Sequence, residues 1–263
     1  MDSFHILLAP DAALLCLFAF LAGFVDSIVG GGGLIQLPAL LMVAPHLDHT
    51  TLFGTNKLSS ICDTSIATVQ YARRIDLDWS LVLLAASFAF LFSLLGAATI
   101  SLIPNAWLRP IVFGLLIAVG FYTSTQKNFG MSQIPTLSRS RVQLQLYAAI
   151  LGACIGFYDG FFGPGTGSLL VVAFVSVFGY DFLRTSAMAK VVNFSTNLAA
   201  LSYFVPSGNV IVALGFTMGI FNILGAIFGT RLAILKGSAL VRAFFLLVIA
   251  LMILKFGYDT LMI

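Results

Sequence analysis

Adding 133 to a residue number lays one half of this chain on the other without a gap. Gly23 meets Gly156, Asp26 meets Asp159, Gly30 meets Gly163, Gly32 meets Gly165, Lys57 meets Lys190, Gly96 meets Gly229 and Arg109 meets Arg242. Matched leucines or alanines would carry little weight in so apolar a sequence. Matched aspartate, lysine and arginine in one register mark an internal duplication. The chain is therefore expected to fold as two copies of one unit, a first repeat at 1–126 and a second at 144–263, joined by a linker at 127–143.

The unit reads as a membrane unit. Of 263 residues, 60% are hydrophobic and 9% charged, where soluble domains carry roughly 25% charged residues. All ten acidic residues are aspartate, with no glutamate to wet a helix face. Helical segments are expected near 5–28, 34–44, 54–72, 79–103 and 107–126, and again near 144–162, 167–179, 185–205, 209–232 and 238–258. The first apolar stretch is too long for a signal-peptide core and is expected to stay as a helix. Cys16, Cys62 and Cys154 lie in apolar segments without metal-ligand spacing and read as small core residues.

Five segments per half is odd, so the second copy must enter the bilayer from the opposite side. The positive-inside rule agrees. With the N-terminus outside, Arg73, Arg74, Lys127, Arg139, Arg141, Arg184, Arg231, Lys236 and Arg242 fall in cytoplasmic loops, and Arg109 alone falls outside. Both termini are then periplasmic. The expected fold class is an all-α membrane protein of two inverted-topology repeats, each of about five helical segments.

Segments 34–44 and 167–179 are too short to span. Eleven helical residues reach about 16 Å, roughly half the hydrocarbon core. Each follows a glycine cluster: Gly30, Gly31, Gly32 and Gly33 in one half, and Gly163, Pro164, Gly165, Thr166 and Gly167 in the other. Broken helices at matched positions of two inverted halves point to a transport site. A helix restarting after a break offers free N–H groups and a partial positive charge, and Lys57 and Lys190 add full charges. Asn56, Ser60, Asn193 and Asn197 supply small polar groups nearby. The pattern describes a binding site for a small inorganic or organic anion.

Asp26, Asp63 and Asp159 admit two roles, capping the broken helices or carrying a coupling proton. The lysines also admit a second role, as partners of these aspartates in structural ion pairs. Isolated glycines such as Gly96 and Gly229 read as helix-packing residues. His46 and His49 share a loop with Asp48 but lack a supporting cluster for a metal. The glycine runs are not a nucleotide loop, since no strand precedes them.

The stretch GFVDSIVGGGGLIQLPALL with GTNK, repeated as GFYDGFFGPGTGSLL with AMAKVVNFSTN, resembles the sulfite exporter TauE/SafE family, and most closely its YfcA-type bacterial members. The resemblance covers nearly the whole chain. It implies transport of sulfite or organosulfonates across the bacterial inner membrane, which agrees with the anion site. Pro164 and Thr166 stand where the first half has Gly31 and Gly33, and Ala189 where it has Asn56, so the two halves contribute differently.

The expectation is a multi-pass secondary transporter moving a small anion by alternating access; a passive anion channel with the same site is the alternative. No cofactor, metal or nucleic acid is expected, and the partners are the anion and the lipid bilayer, with a homodimer allowed. An enzyme is not expected. The sequence offers no histidine in a helix core, no paired carboxylates at useful spacing and no nucleophile beside a base.

Overall fold

The structure, a computed structural model, describes residues 10–44, 47–100 and 140–261. Among these it is all helical. The helices are α1 (Pro10–Val29), α2 (Gly33–Val43), α3 (His49–Ala72), α4 (Trp79–Thr99), α5 (Arg141–Phe161), α6 (Thr166–Phe178), α7 (Phe182–Phe204) and α8 (Val212–Leu261). The expected helix 107–126, the turn at Pro104, Arg109, most of the linker with Lys127 and Arg139, and His5 and His46 lie outside the described residues.

Several helix limits differ by a few residues from the sequence expectation. α5 begins at Arg141, inside the expected linker, because Ser140 and Gln143 form a reciprocal capping box that satisfies two free N–H donors. α3 begins at His49, ahead of the first strongly apolar residues. The two helices expected at 209–232 and 238–258 are both present within α8, which breaks between them at Gly237, where a non-helical backbone of φ 71° and ψ −165° is one that only glycine adopts without strain.

The chain is inside out relative to a soluble protein. Within α4, α5 and the stretch Val212–Leu247, apolar sequence is long enough to cross a bilayer. Their outer faces carry exposed side chains at helical spacing: Leu83, Leu91 and Leu95 on α4, Leu146, Ile150 and Phe157 on α5, and Phe216, Ile220, Leu224 and Phe228 on α8. The polar residues of α3 and α7 are instead buried, Lys57, Asp63, Lys190 and Asn197 among them. Burying these groups while exposing leucine makes sense where the surroundings are hydrocarbon.

Glycines set the closest helix contacts. On α5, Gly152, Gly156 and Gly160 lie against the backbone of Ala85, Ala89 and Ser93 of α4, at distances that leave no room for a Cβ. Small residues at every fourth position let two backbones meet this closely. Gly96 of α4 lies against the Phe157 carbonyl, and Gly229 of α8 against the Phe24 carbonyl. The packing role expected for Gly96 and Gly229 is what the structure holds.

Polar bonds tie the connections together at two ends. At one end Arg141 donates to both oxygens of Asp78 (3.1 and 3.2 Å), the Tyr180 hydroxyl donates to Asp78 (3.2 Å), Arg184 approaches Asp76, and Ser238 donates to Asp181 (2.9 Å). Partial burial, then the Asp78 charge, push the Tyr180 phenol above its ordinary range, so it remains a donor. At the other end Gly54 meets the Asn209 carbonyl, and Ile211 N–H donates to Thr55 (3.0 Å). α3 thus starts where α7 finishes and finishes where α7 starts.

Candidate functional site

The site forms where the two glycine clusters interrupt the helices. α1 ends at Val29, and Gly30 turns the chain with φ 78°. Gly163 does the same after α5 with φ 89°. The interruptions touch each other: Gly30 and Gly167 pack backbone to backbone, and Ser168 N–H donates to the Gly30 carbonyl (3.2 Å). Any side chain at Gly30 would strike Gly167, so glycine here serves both the turn and the close approach.

The last carbonyls of α1 have no partner within the helix. Three hydroxyls from three other helices take them: Tyr71 bonds the Ser27 carbonyl, Ser186 the Ile28 carbonyl and Ser168 the Val29 carbonyl, all at 2.9 Å. Sequence reasoning missed these three residues. Ser168 had a signal, being a hydroxyl next to the glycine cluster. Tyr71 and Ser186 had none, because their partners lie far off in sequence. The second interruption is bonded locally, with Tyr158 donating to the Pro164 carbonyl (2.7 Å) and Thr166 to the Gly163 carbonyl (2.6 Å).

Two buried ion pairs cross between the sequence halves. Lys57 bonds Asp159 at 2.7 Å, and Lys190 bonds Asp26 at 2.5 Å. The matched lysines exchange matched aspartates. Asp26 also accepts from Gly32 N–H (2.9 Å), so it is at once an ion-pair partner and a cap on the loop that leads into α2. Asp63, 1% exposed, lies beside the Asp26 carboxyl, and its Oδ2 has no hydrogen-bond partner.

Between the interruptions is a small cavity of about 20 Å³, room for the centre of one water or one compact group. Its wall takes backbone from Gly30, Gly33, Gly163, Gly165 and Gly167. α3 contributes Asn56, Lys57 and Ser60, α7 contributes Asn193 and Asn197, and Asp26 and Asp159 close it. Asn197 donates to Asn193 (2.9 Å), while Asn56 Oδ1 is buried without a partner. Five of the residues singled out from sequence stand behind this wall: Gly31, Gly32, Thr166, Lys190 and Asp63. The two lysines therefore differ in position, Lys57 at the cavity and Lys190 one layer back. A second polar group, also missed from sequence, lies apart: Asn222 of α8 donates to Gln36 (2.8 Å) and Ser59 (2.7 Å).

The family described as sulfite exporter TauE/SafE matches residues 15–256. The chain is 36% identical to the probable membrane transporter protein YfcA of Escherichia coli K12, over 99% of this chain and 96% of that one. It is 37% identical to the probable membrane transporter protein ORF9 of Sinorhizobium sp., over 94% and 90%. It is 34% identical to a probable membrane transporter protein of Haemophilus influenzae, over 94% of each. No solved structure matches the chain.

Proposed function

From the premise that the chain belongs to the sulfite exporter TauE/SafE family, we propose that it is a secondary transporter moving a small anion, sulfite or an organosulfonate, across the bacterial inner membrane. The observation that carries this reading is the cavity at the meeting of two interrupted helices. It has Lys57 in its wall, surrounded by side-chain amides, Ser60 and glycine backbone. An anion there would meet Lys57 and the positive end of the α6 dipole, although the Thr166 and Ser168 N–H groups already bond the Gly163 and Gly30 carbonyls. Asp159 holds Lys57 in place and gives way as the anion arrives.

The mechanism we propose is alternating access by two inverted repeats, one rocking on the other. What supports inversion is the exchange of partners. α1 packs on α8 and α5 on α4, which are the same contact with the halves swapped. The Gly96–Phe157 and Gly229–Phe24 contacts, and the two crossed ion pairs, swap in the same way. The matched helices α3 and α7 run in opposite directions between the two bonded ends. Sidedness is supported by the first of those ends, which joins the basic connections holding Arg141 and Arg184; we place it in the cytoplasm and the termini in the periplasm.

Two measurements test this. Sulfite, sulfate, thiosulfate, sulfoacetate and simple carboxylates are screened for thermal stabilisation of the purified protein, then for uptake into vesicles. At least one sulfur oxyanion should stabilise the wild type, and Lys57→Ala, Asn56→Ala and Asn193→Ala should reduce that shift. An equal shift in all three variants, or none in the wild type, would sink the site. For sidedness, a cysteine introduced within 127–143 should be protected from impermeant thiol reagent added outside cells.

A further inference from the structure

The two ion pairs carry unequal charge. Around Lys57 the count is balanced, one ammonium against Asp159. Around Lys190 it is not. Asp26 accepts from Lys190 and Gly32, so both its oxygens already have donors. Asp63 brings a second carboxyl to the same spot, fully buried and with one oxygen unpartnered. The residue matching Asp63 in the second half is Thr196, which is neutral. Two adjacent buried carboxylates with one ammonium leave a net negative charge that a membrane interior does not tolerate.

The other groups facing Asp63 do not cancel that charge. Its own helix offers the Cys62 thiol and the Tyr71 hydroxyl, which is committed to the Ser27 carbonyl. α1 brings Asp26 and α7 brings Lys190. α8 presents Gly219 to Cys62 and Asn222 to Ser59, neither of them titratable. Among the described residues, a proton is the remaining way to neutralise the cluster.

We infer that Asp26 and Asp63 hold one exchangeable proton between them, resident on Asp63, and that this proton travels with the anion. The Asp63 hydroxyl then donates to the Asp26 carboxylate, which keeps its bond from Lys190. With the proton on Asp63 the empty site is neutral and admits one anion, whereas without it the anion would join an uncompensated buried carboxylate; proton and anion therefore leave together. The proton site rests on the burial of Asp63, its unpartnered oxygen and the commitment of Lys190 to Asp26. Its coupling to anion movement rests on the transporter reading above and makes the coupled ion a proton moving in the same direction.

Infrared difference spectra of the purified protein in lipid test the proton site without any substrate. The wild type at neutral pH should show a protonated-carboxyl C=O band that exchanges in heavy water. Asp63→Asn should abolish it, Asp63→Glu should shift it, and Asp159→Asn should leave it in place. No such band in the wild type, or a band that survives Asp63→Asn, overturns the site. Coupling is read from methanesulfonate uptake into proteoliposomes, since that anion does not itself titrate near neutrality. Wild type should accumulate it under an inward proton gradient, and Asp63→Asn should lose that dependence. Uptake indifferent to the gradient in the wild type overturns the coupling. No methanesulfonate, sulfite or other anion uptake at all overturns the transporter reading, while the infrared result still decides the proton site.

Discussion

The two helix interruptions are built from matched sequence yet held in different ways. The first, after α1, is wired outward: its last three carbonyls are bonded by hydroxyls from α3, α6 and α7. The second, after α5, has its own carbonyls bonded locally by Tyr158 and Thr166, and it is tied to the first through Ser168. The ion pairs differ too, since Lys190–Asp26 has the unpaired Asp63 beside it and Lys57–Asp159 has no such neighbour among the described residues. Matched residues thus give one interruption whose carbonyls are bonded from three other helices and one whose carbonyls are bonded locally, the two joined at Ser168. We predict that the rearrangement between open states centres on the second, and the following substitutions probe that difference.

The largest effect should come from Lys190→Ala. Removing one partner of a buried ion pair costs about 3–5 kcal/mol, because the other charge is left unpaired. Lys190→Ala strands Asp26 beside Asp63, whereas Lys57→Ala strands Asp159 alone. Thermal unfolding in detergent should therefore drop further for Lys190→Ala than for Lys57→Ala. Equal losses would mean that Asp63 adds nothing to the first cluster.

Next in size is Gly30→Ala. A methyl there would lie 2.3 Å from Gly167 Cα, on a backbone with φ 78°. Overpacking of this kind costs about 1–3 kcal/mol, with further strain from the left-handed backbone. Gly163 has a similar φ of 89°, but its nearest neighbours, the Asp159 carbonyl and the Lys57 ammonium, lie at 3.1 Å rather than 2.3 Å. Gly33 meets Pro164 at an ordinary 3.5 Å. The order of destabilisation should be Gly30→Ala, then Gly163→Ala, then Gly33→Ala near zero.

That order could not be read from the sequence, where the four glycines from Gly30 to Gly33 look alike. The short helices after the clusters and the buried polar character of α3 and α7 were legible, because glycine clusters and rare charged residues mark them in the sequence. The crossing of the pairs was not. Sequence placed Asp26 and Asp159 near the lysines without saying that each lysine takes the aspartate of the other half. The position of Lys190 behind the cavity wall was equally hidden, since Lys57 and Lys190 occupy equivalent places in the repeat and differ only through the side chains that surround them. Ser140 and Gln143 were readable as a capping box, and the long loop drew attention away from them.

A smaller effect is expected where the first interruption is pinned. Ser186→Ala removes the donor to the Ile28 carbonyl at a fully buried position. A buried acceptor left without its partner costs about 1–3 kcal/mol. Tyr158→Phe, which frees the Pro164 carbonyl, should cost less, because that bond is only partly buried. If anion uptake is gated by the second interruption, Tyr158→Phe should change the uptake rate more than Ser186→Ala does, even though it unfolds the protein less. The reverse ranking of rates would move the gate to the first interruption.

The smallest effect should come from the bonded end that we place in the cytoplasm. Arg141 makes two bonds to Asp78, but its side chain is 56% exposed. Exposed ion pairs contribute about 0.2–1 kcal/mol and are screened by salt. Arg141→Ala should therefore lower thermal stability only slightly in dilute buffer, and the difference from wild type should vanish in high salt. Lys190→Ala should keep its full penalty in the same salt series, because counterions do not reach a buried pair. Divergent salt responses of the two variants would separate a surface latch from a charge site inside the membrane. Parallel responses would place Lys190 in contact with water and remove the basis for a dry, proton-neutralised cluster.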